Sequence, residues 1–209
     1  MLNLFYMEKH MAKHLNKTLR QEKKYVFEKR DLNRVELKLI SLGFRVNHAP
    51  NLINNIYFDN SRISAATESV EGDAIRTKFR LRWYNETPKF VLESKVKLSS
   101  SGFKDRKQLK GSSLSEAINE TEQITKRRAI IQNSYYRRYY VKKNIRITLD
   151  DQLKFSLPKS STFKKSKYCV MEVKYNTEFV YAFDDLNQDL FQLTKFSKYL
   201  EGLKCFNII

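Results

Sequence analysis

The chain has 209 residues, a length that suits a single domain. It carries 40 Lys and Arg against 23 Asp and Glu, and the net charge of +17 predicts a polyanionic partner: nucleic acid, an anionic membrane surface or a phosphate-rich small molecule. No stretch provides the roughly 20 apolar residues that a membrane-spanning helix needs, and two cysteines are too few for a disulfide framework or a structural zinc site. Since no secretory leader opens the chain, we expect a cytoplasmic protein.

Hydrophobic periodicity divides the chain into strands and helices. Residues 1–19 show little periodicity and predict an N-terminal arm or a short helix, whereas 20–209 are expected to form one domain. Asp31 is expected to cap the first helix and Gly43 to end it. The predicted elements are, in chain order, a strand at 22–28, a helix at 31–42, a strand at 53–58 after a turn at Pro50, strands at 75–84, 90–98 and 103–110, a helix at 113–132, strands at 134–141, 145–150 and 168–175, and a helix at 185–200.

The strand predicted at 75–84 has one apolar and one charged face. Its charged face carries a cation at every second position, namely Arg76, Lys78, Arg80 and Arg82. Like charges in such a row destabilise a sheet unless an anion lies among them. If strands of this kind curl into a barrel with the charged face inward, the predicted helices can cover the apolar outer face. The pattern therefore predicts an α+β fold, an antiparallel β-barrel of about eight strands around a charged tunnel, with helices packed outside.

Acidic residues are expected on the same faces as the cations: Glu22, Glu93, Asp150 and Glu172. A groove for a nucleic-acid backbone has little use for carboxylates among its Lys and Arg side chains. A triphosphate bound as its Mg²⁺ or Mn²⁺ complex needs both, because these cations bridge carboxylate and phosphate oxygens. The pattern favours metal–phosphate chemistry over the binding of nucleic acid, which stays open as the less favoured alternative.

Eight short motifs resemble, in order, the catalytic domain of the vacuolar transporter chaperone (VTC), a polyphosphate polymerase of the CYTH-like triphosphate tunnel metalloenzyme superfamily. The resemblance extends over about residues 20–202. The motifs are RQEKKY at 20–25, IYFD at 56–59, KFRLRWY at 78–84, LESK at 92–95, SYYR at 134–137, RITLD at 146–150, MEVKY at 171–175 and KFSKY at 195–199.

The resemblance implies that ATP and polyphosphate bind in the tunnel and that the terminal phosphoryl group of ATP moves to the growing chain. It implies Lys24, Arg80, Arg82 and Lys95 as catalytic residues, and as phosphate ligands Lys104, Tyr135, Arg137, Lys195, Ser197 and Lys198. The charged strand faces add the phosphate ligands Lys78, Arg146 and Lys174. Glu172 is implied to bind Mn²⁺ or Mg²⁺, with Lys174 expected as its near neighbour.

Other interpretations stay open beside the polymerase. A tunnel triphosphatase would use water in place of the phosphate-chain acceptor, and a polyphosphate- or RNA-binding module would need no metal. Glu93 is expected to form ion pairs more than to bind metal, and Asp150 to cap a turn before the next residue. Lys195 and Lys198 are expected on one face of the last helix. Three aromatic residues are expected in the core: Tyr57, Phe79 and Trp83.

Overall fold

The computed structural model describes residues 20–73, 75–98, 101–176 and 192–209. The predicted N-terminal arm at 1–19 lies outside these residues, as does the first part of the predicted helix at 185–200. The described strands are β1 (Arg20–Glu28), β2 (Arg45–Asp59), β3 (Ile75–Tyr84), β4 (Thr87–Leu98), β5 (Ser101–Gln108), β6 (Arg128–Lys142), β7 (Ile145–Ser156), β8 (Phe163–Lys165), β9 (Tyr168–Asn176) and β10 (Gln192–Leu193). The described helices are α1 (Leu32–Ser41), α2 (Ser64–Glu71), α3 (Leu114–Thr125) and α4 (Lys198–Cys205), with a 3-10 turn at Lys29–Asp31 before α1. None of these helices is both long enough and apolar enough to cross a membrane.

The strands form one sheet that curls around a cavity. Its order is β10-β1-β9-β7-β6-β2-β3-β4-β5, with β8 paired to β7 beside this path, and all described pairings are antiparallel. No pairing between described residues joins β5 to β10, so hydrogen bonds do not close the barrel. The strands nevertheless face one another across the cavity, because Glu22 on β1, Glu172 on β9 and Lys95 on β4 all line it.

The predicted α+β fold, an antiparallel tunnel with helices outside, is confirmed. The eight predicted strands correspond to β1–β7 and β9. The two strands that were not predicted are only three and two residues long, too short to show an alternation in the sequence.

Two predicted boundaries are wrong for local reasons. The helix predicted at 113–132 ends at Thr125, because Lys126 takes the left-handed conformation with φ 55°, and Ile130 already belongs to β6. Pro50 lies inside β2 instead of in a turn. A register shift between His48 and Asn51 interrupts the ladder there and accommodates the missing proline N–H.

Caps decide where α1 ends and where α4 begins. Asp31 precedes α1, but its side chain makes no capping hydrogen bond, and Gly43 follows the helix with φ +80°, a conformation that favours glycine. The last helix begins only at Lys198, where the Ser197 hydroxyl accepts a hydrogen bond from the Leu200 N–H at 3.5 Å. The helix predicted at 185–200 is therefore wrong for residues 192–197.

The helices cover the outer, apolar face of the sheet. α1 packs on β1, β7 and β9 through Val35 and Leu39. α3 packs on β3 and β4 through Ala117, and Phe79 and Trp83 pack against this cluster, which confirms their predicted core positions. Because side chains alternate along a strand, covering this face on the outside turns the residues between toward the cavity. α4 differs, because residues at its N-terminus line the cavity themselves.

Candidate active site

The inner face of the sheet encloses a cavity of about 810 Å³. Within the described chain, eleven Lys and Arg side chains and three glutamates line it, which leaves a formal excess of eight positive charges. The cations come from seven strands and from the start of α4: Lys24, Lys78, Arg80, Arg82, Lys95, Lys104, Arg106, Arg137, Arg146, Lys174 and Lys198. The fold therefore concentrates in one enclosed space charges that are far apart in the sequence.

The structure brings nearly all predicted site residues to this cavity. Besides the predicted cations, Tyr135, Ser197 and Glu172 line its wall. Lys195 does not: it is exposed, and it precedes α4 instead of belonging to it. The prediction that Lys195 and Lys198 share a helix face is therefore wrong.

Glu93 lies at the centre of the cations from β3 and β5. Its carboxylate is 2.6 Å from Arg80 Nη2, 2.5 Å from Lys104 Nζ and 3.1 Å from Arg106 Nε, and Arg82 Nη1 is 3.7 Å away. The antiparallel registers cause this, because Glu93 pairs with Arg80 on one side and with Arg106 on the other. Burial raises the pKa of Glu93, but Arg80, Arg82 and Lys104 outweigh burial and lower it to about 2. The ion-pair role predicted for Glu93 is confirmed.

Arg82 is held by a buried chain of hydrogen bonds. Its Nε donates to Asn55 Oδ1 at 2.8 Å, and its Nη2 donates to the Tyr135 hydroxyl at 3.3 Å. Asn55 Nδ2 in turn donates to Asn133 Oδ1 at 2.9 Å. Only 5% of Arg82 is exposed, so its guanidinium has one fixed orientation at the cavity wall.

Asp150 fixes two further cations. Its carboxylate accepts two hydrogen bonds from Arg137, at 2.5 and 2.7 Å, and one from Lys198 at 2.5 Å. Burial raises the pKa of Asp150, but the charges of Arg137 and Lys198 lower it below its usual value. Asp150 lies inside β7, opposite Arg137 in the ladder, so the prediction that it caps a turn is wrong. Gln152, also within β7, has φ 50°, where the pairing of β7 with β6 shifts its register.

Glu172 has three cations around it instead of one. Lys174 Nζ lies 3.4 Å from the carboxylate, Lys24 Nζ 3.6 Å and Arg137 Nη2 3.9 Å. Burial raises the pKa of Glu172, but the charges of Arg137, Lys24 and Lys174 hold it well below its usual range. The expectation that Lys174 alone is its near neighbour is corrected by the pairing of β9 with β1, which places Lys24 opposite Glu172.

A divalent metal ion would find few protein ligands here. No group of three or more His, Cys, Asp or Glu side chains suited to a metal occurs among the described residues. Glu172 faces the cavity, and its ladder partner Thr148 has a buried hydroxyl with no hydrogen-bond partner in the described chain. Mg²⁺ is commonly bound by one or two carboxylates together with substrate phosphates. Glu172 and Thr148 therefore fit a metal ion whose other ligands are phosphate oxygens.

The sequence missed the place of Tyr57 at the cavity wall. Tyr57 is buried in the core, as predicted, but it also stacks on Tyr199 with ring centroids 5.2 Å apart and lines the cavity. Burial raises the pKa of its hydroxyl, but Arg80 and Lys198 outweigh burial and lower it below the usual value. Its alternation with the core residue Phe58 was the signal that could have placed it on the inner face.

The lysines are crowded by other cations. Burial and the charges of Arg76, Lys24 and Lys95 lower the pKa of Lys78 to about 8. Burial also lowers the pKa of Lys104 to about 8, although Glu93 opposes the shift. A cavity that weakens the protonation of its own lysines favours the binding of a polyanion, which relieves this repulsion.

Comparisons with known proteins agree with the architecture. The sequence model of the VTC domain family matches residues 19–207, nearly the whole chain. No curated protein matches the chain.

Solved structures share the fold at low sequence identity. A putative adenylyl cyclase from Hippeastrum, whose structure is said to reveal a dominant triphosphatase activity, is similar at a TM-score of 0.54 and 12% identity, over 88% of this chain and 95% of that one. A protein from Pyrococcus horikoshii OT3 gives a TM-score of 0.53 at 12% identity, over 88% and 99% of the two chains. A chain of the Schizosaccharomyces pombe Mediator head module gives 0.50 at 9% identity, over 79% and 88%. At these identities the likeness shows the fold alone.

Proposed function

Because the chain belongs to the VTC domain family, we propose that its cavity binds ATP with a divalent metal ion and transfers the terminal phosphoryl group to the end of a polyphosphate chain. The observation that carries this proposal is the enclosed excess of eight positive charges. A triphosphate and a chain of phosphates carry the negative charge that balances such an excess. The negative charges of the three glutamates in the wall are already included in this excess.

The protein's contribution to this reaction is positioning and charge neutralisation. Phosphoryl transfer asks little covalent chemistry of the enzyme, and fixed cations around the transferred group supply most of the catalysis. Arg82 is oriented by Asn55 and Tyr135, and Arg137 and Lys198 are oriented by Asp150. Side chains held in this way lose little freedom when phosphate binds, so they act as pre-organised ligands.

We assign further roles from the family resemblance and from the charge of each cavity side chain. Lys24, Arg80 and Lys95 would neutralise charge on the transferred group, and the remaining cavity cations would hold the phosphates on either side. Ser197 caps α4 and keeps Lys198 at the cavity wall. Glu172 would hold the metal ion, which when bound neutralises negative charge on the phosphate oxygens.

The proposal is tested with purified protein, ATP and Mn²⁺ or Mg²⁺, followed by phosphorus NMR. Polymerase activity produces long chains with internal phosphate signals, and this is the expected result. Release of free phosphate alone shows that water is the acceptor and that the protein is a triphosphatase. Binding of polyphosphate with no metal-dependent turnover of ATP shows a binding module.

A further inference from the structure

Aromatic side chains line several parts of the cavity, and two of them follow its arginines by two residues along the strands. We call these two, Tyr84 and Tyr139, together with His48, the aromatic rim. The His48 ring contacts the Tyr139 ring in a tilted arrangement, with centroids 3.8 Å apart and planes inclined at 37°. His48 is exposed and Tyr84 is 37% exposed, so the rim is open to solvent as well as to the cavity.

The rim lies directly beside the arginines that would hold phosphate. Tyr139 follows Arg137 by two residues on the inner face of β6, and Tyr84 follows Arg82 by two residues on β3. Two residues of a strand span about 7 Å. Pairing of β2 with β6 then sets His48 opposite Tyr139. Two strands thus carry the same order, an arginine followed two residues later by an aromatic ring, at a separation that one ribose can bridge.

We propose that the aromatic rim binds the nucleobase of the nucleoside triphosphate whose phosphates occupy the cavity. The inference rests on the proposed function. One face of the His48 ring lies on Tyr139, and no ring in the described part of the chain stacks on the other face. Every nucleobase has a flat π-face, and stacking on an aromatic side chain strengthens binding by roughly five- to 150-fold per base. The Asn47 amide lies at the same rim and can hydrogen-bond the polar edge of the base.

The rim should distinguish two ligands that bind to the rest of the cavity through the same contacts. ATP and inorganic tripolyphosphate present the same row of phosphates to the arginines and lysines. Only ATP carries a base, so a change at the rim affects the binding of ATP alone.

The experiment measures the binding of a non-hydrolysable ATP analogue and of inorganic tripolyphosphate by calorimetry. We expect His48→Ala to weaken binding of the analogue about tenfold and to leave binding of tripolyphosphate unchanged within about twofold, while His48→Phe retains near-normal binding of both. Tyr84→Ala, at a partly exposed position, gives a second test with the same expected selectivity. Val46→Ala is the control, because Val46 lies on the same strand, is 63% exposed and does not line the cavity; it should change neither ligand.

The outcomes distinguish this inference from the proposed function. Equal weakening of both ligands by the rim variants, or no change for the ATP analogue, overturns the nucleobase site, even if the protein elongates polyphosphate. A selective loss of ATP binding supports the site, even if phosphorus NMR shows that no phosphoryl transfer occurs.

Discussion

Two glutamates on the cavity wall, Glu93 and Glu172, differ in how closely the neighbouring cations approach their carboxylates. Both oxygens of Glu93 accept hydrogen bonds, at 2.5 Å from Lys104 and 2.6 Å from Arg80. The cations nearest Glu172 stand further off, at 3.4 Å for Lys174 and 3.6 Å for Lys24, and no hydrogen bond to its carboxylate occurs within the described chain.

This difference separates a structural carboxylate from one that is free to take a ligand. The lone pairs of Glu93 are used to hold the side chains of β3 and β5 in place. Those of Glu172 are not, yet neighbouring positive charge keeps its pKa low, so it is ionised at neutral pH. An ionised carboxylate with unused lone pairs is what a hard cation such as Mg²⁺ binds.

The largest effect is expected from Glu172→Gln, which keeps the shape of the side chain and removes its charge. We expect at least a hundredfold loss of metal-dependent turnover, because one of the few protein ligands of the metal is removed. Tripolyphosphate without metal should bind as well as before or more tightly, in a cavity one charge more positive. Turnover in the presence of Mn²⁺ and calorimetric binding in its absence measure the two quantities.

Glu22→Gln is the matched control, since Glu22 lies 3.4 Å from Lys24 and 3.6 Å from Lys174 and its removal changes the net charge equally. A similar loss of turnover in both variants would show that overall charge matters, not ligation by Glu172. Near-normal turnover of Glu172→Gln would make the metal assignment wrong.

Glu93→Gln should act on stability instead. Removing this buried anion leaves the clustered cations of β3 and β5 uncompensated, and we expect the free energy of unfolding at pH 7 to fall by about 3 kcal/mol. The folded-state pKa of about 2 lies below the value of about 4.5 expected for the unfolded chain. The contribution of Glu93 is therefore present above pH 4.5 and is lost as the pH falls toward 2. Urea unfolding at several pH values should show the difference between the two proteins shrinking below pH 4.5.

A bound anion should partly replace Glu93. Tripolyphosphate places negative charge beside Arg80 and Lys104, so we expect it to stabilise Glu93→Gln more than the unmutated protein. Equal stabilisation of the two proteins would contradict the structural role of this carboxylate.

Arg82→Ala tests a cation that has hydrogen-bond partners besides its neighbour Glu93. Arg82 is 3.7 Å from Glu93, but it is also hydrogen-bonded to Asn55 and Tyr135 in a buried site. We expect turnover to fall at least tenfold, because a pre-oriented phosphate ligand is lost. If relief of repulsion were the only effect, the stability would not change. The substitution also leaves the buried Asn55 oxygen without its donor, so we expect the free energy of unfolding to fall by about 1–3 kcal/mol.

Arg30→Ala is the control for this variant, because the Arg30 side chain is 80% exposed and lies outside the cavity wall. Initial rates and urea unfolding are measured on both variants. Unchanged turnover in Arg82→Ala would show that Arg82 is a structural arginine.

The sequence could predict the charged face but not its internal pairing. Alternation along β3 already separates Arg80 and Arg82 from Phe79 and Leu81, because strand periodicity is a local property. The partners of Asp150 are Arg137 and Lys198, which are 13 and 48 residues away. Only the pairing of β6 with β7 and the position of α4 bring these three together, and a single sequence contains no record of either.

The same limit applies to the aromatic rim. His48 has no partner at metal-ligand spacing in the sequence, and the turn predicted at Pro50 would have removed it from any strand. The structure continues β2 through Pro50 by a register shift, and this continuation carries His48 to Tyr139. A proline that interrupts a ladder without ending its strand cannot be distinguished from a turn by composition alone.

The smallest effect concerns Lys78, a cavity cation that has no ion pair with Glu93 or Glu172 in the described structure. Its pKa of about 8 lies below the 10.5 of a free lysine, so between these pH values the folded protein binds fewer protons than the unfolded chain. The stability of the ligand-free protein should therefore rise with pH in this range, while its affinity for tripolyphosphate falls. We expect Lys78 to account for a decrease of roughly fivefold between pH 7 and 9, which corresponds to about 1 kcal/mol, the net worth of a typical hydrogen bond. Calorimetry at both pH values should show this component missing in Lys78→Ala and retained in Lys97→Ala, at an exposed position outside the cavity wall. Identical pH profiles for Lys78→Ala and the unmutated protein would show that Lys78 stays charged and that crowding by its neighbours does not control the affinity.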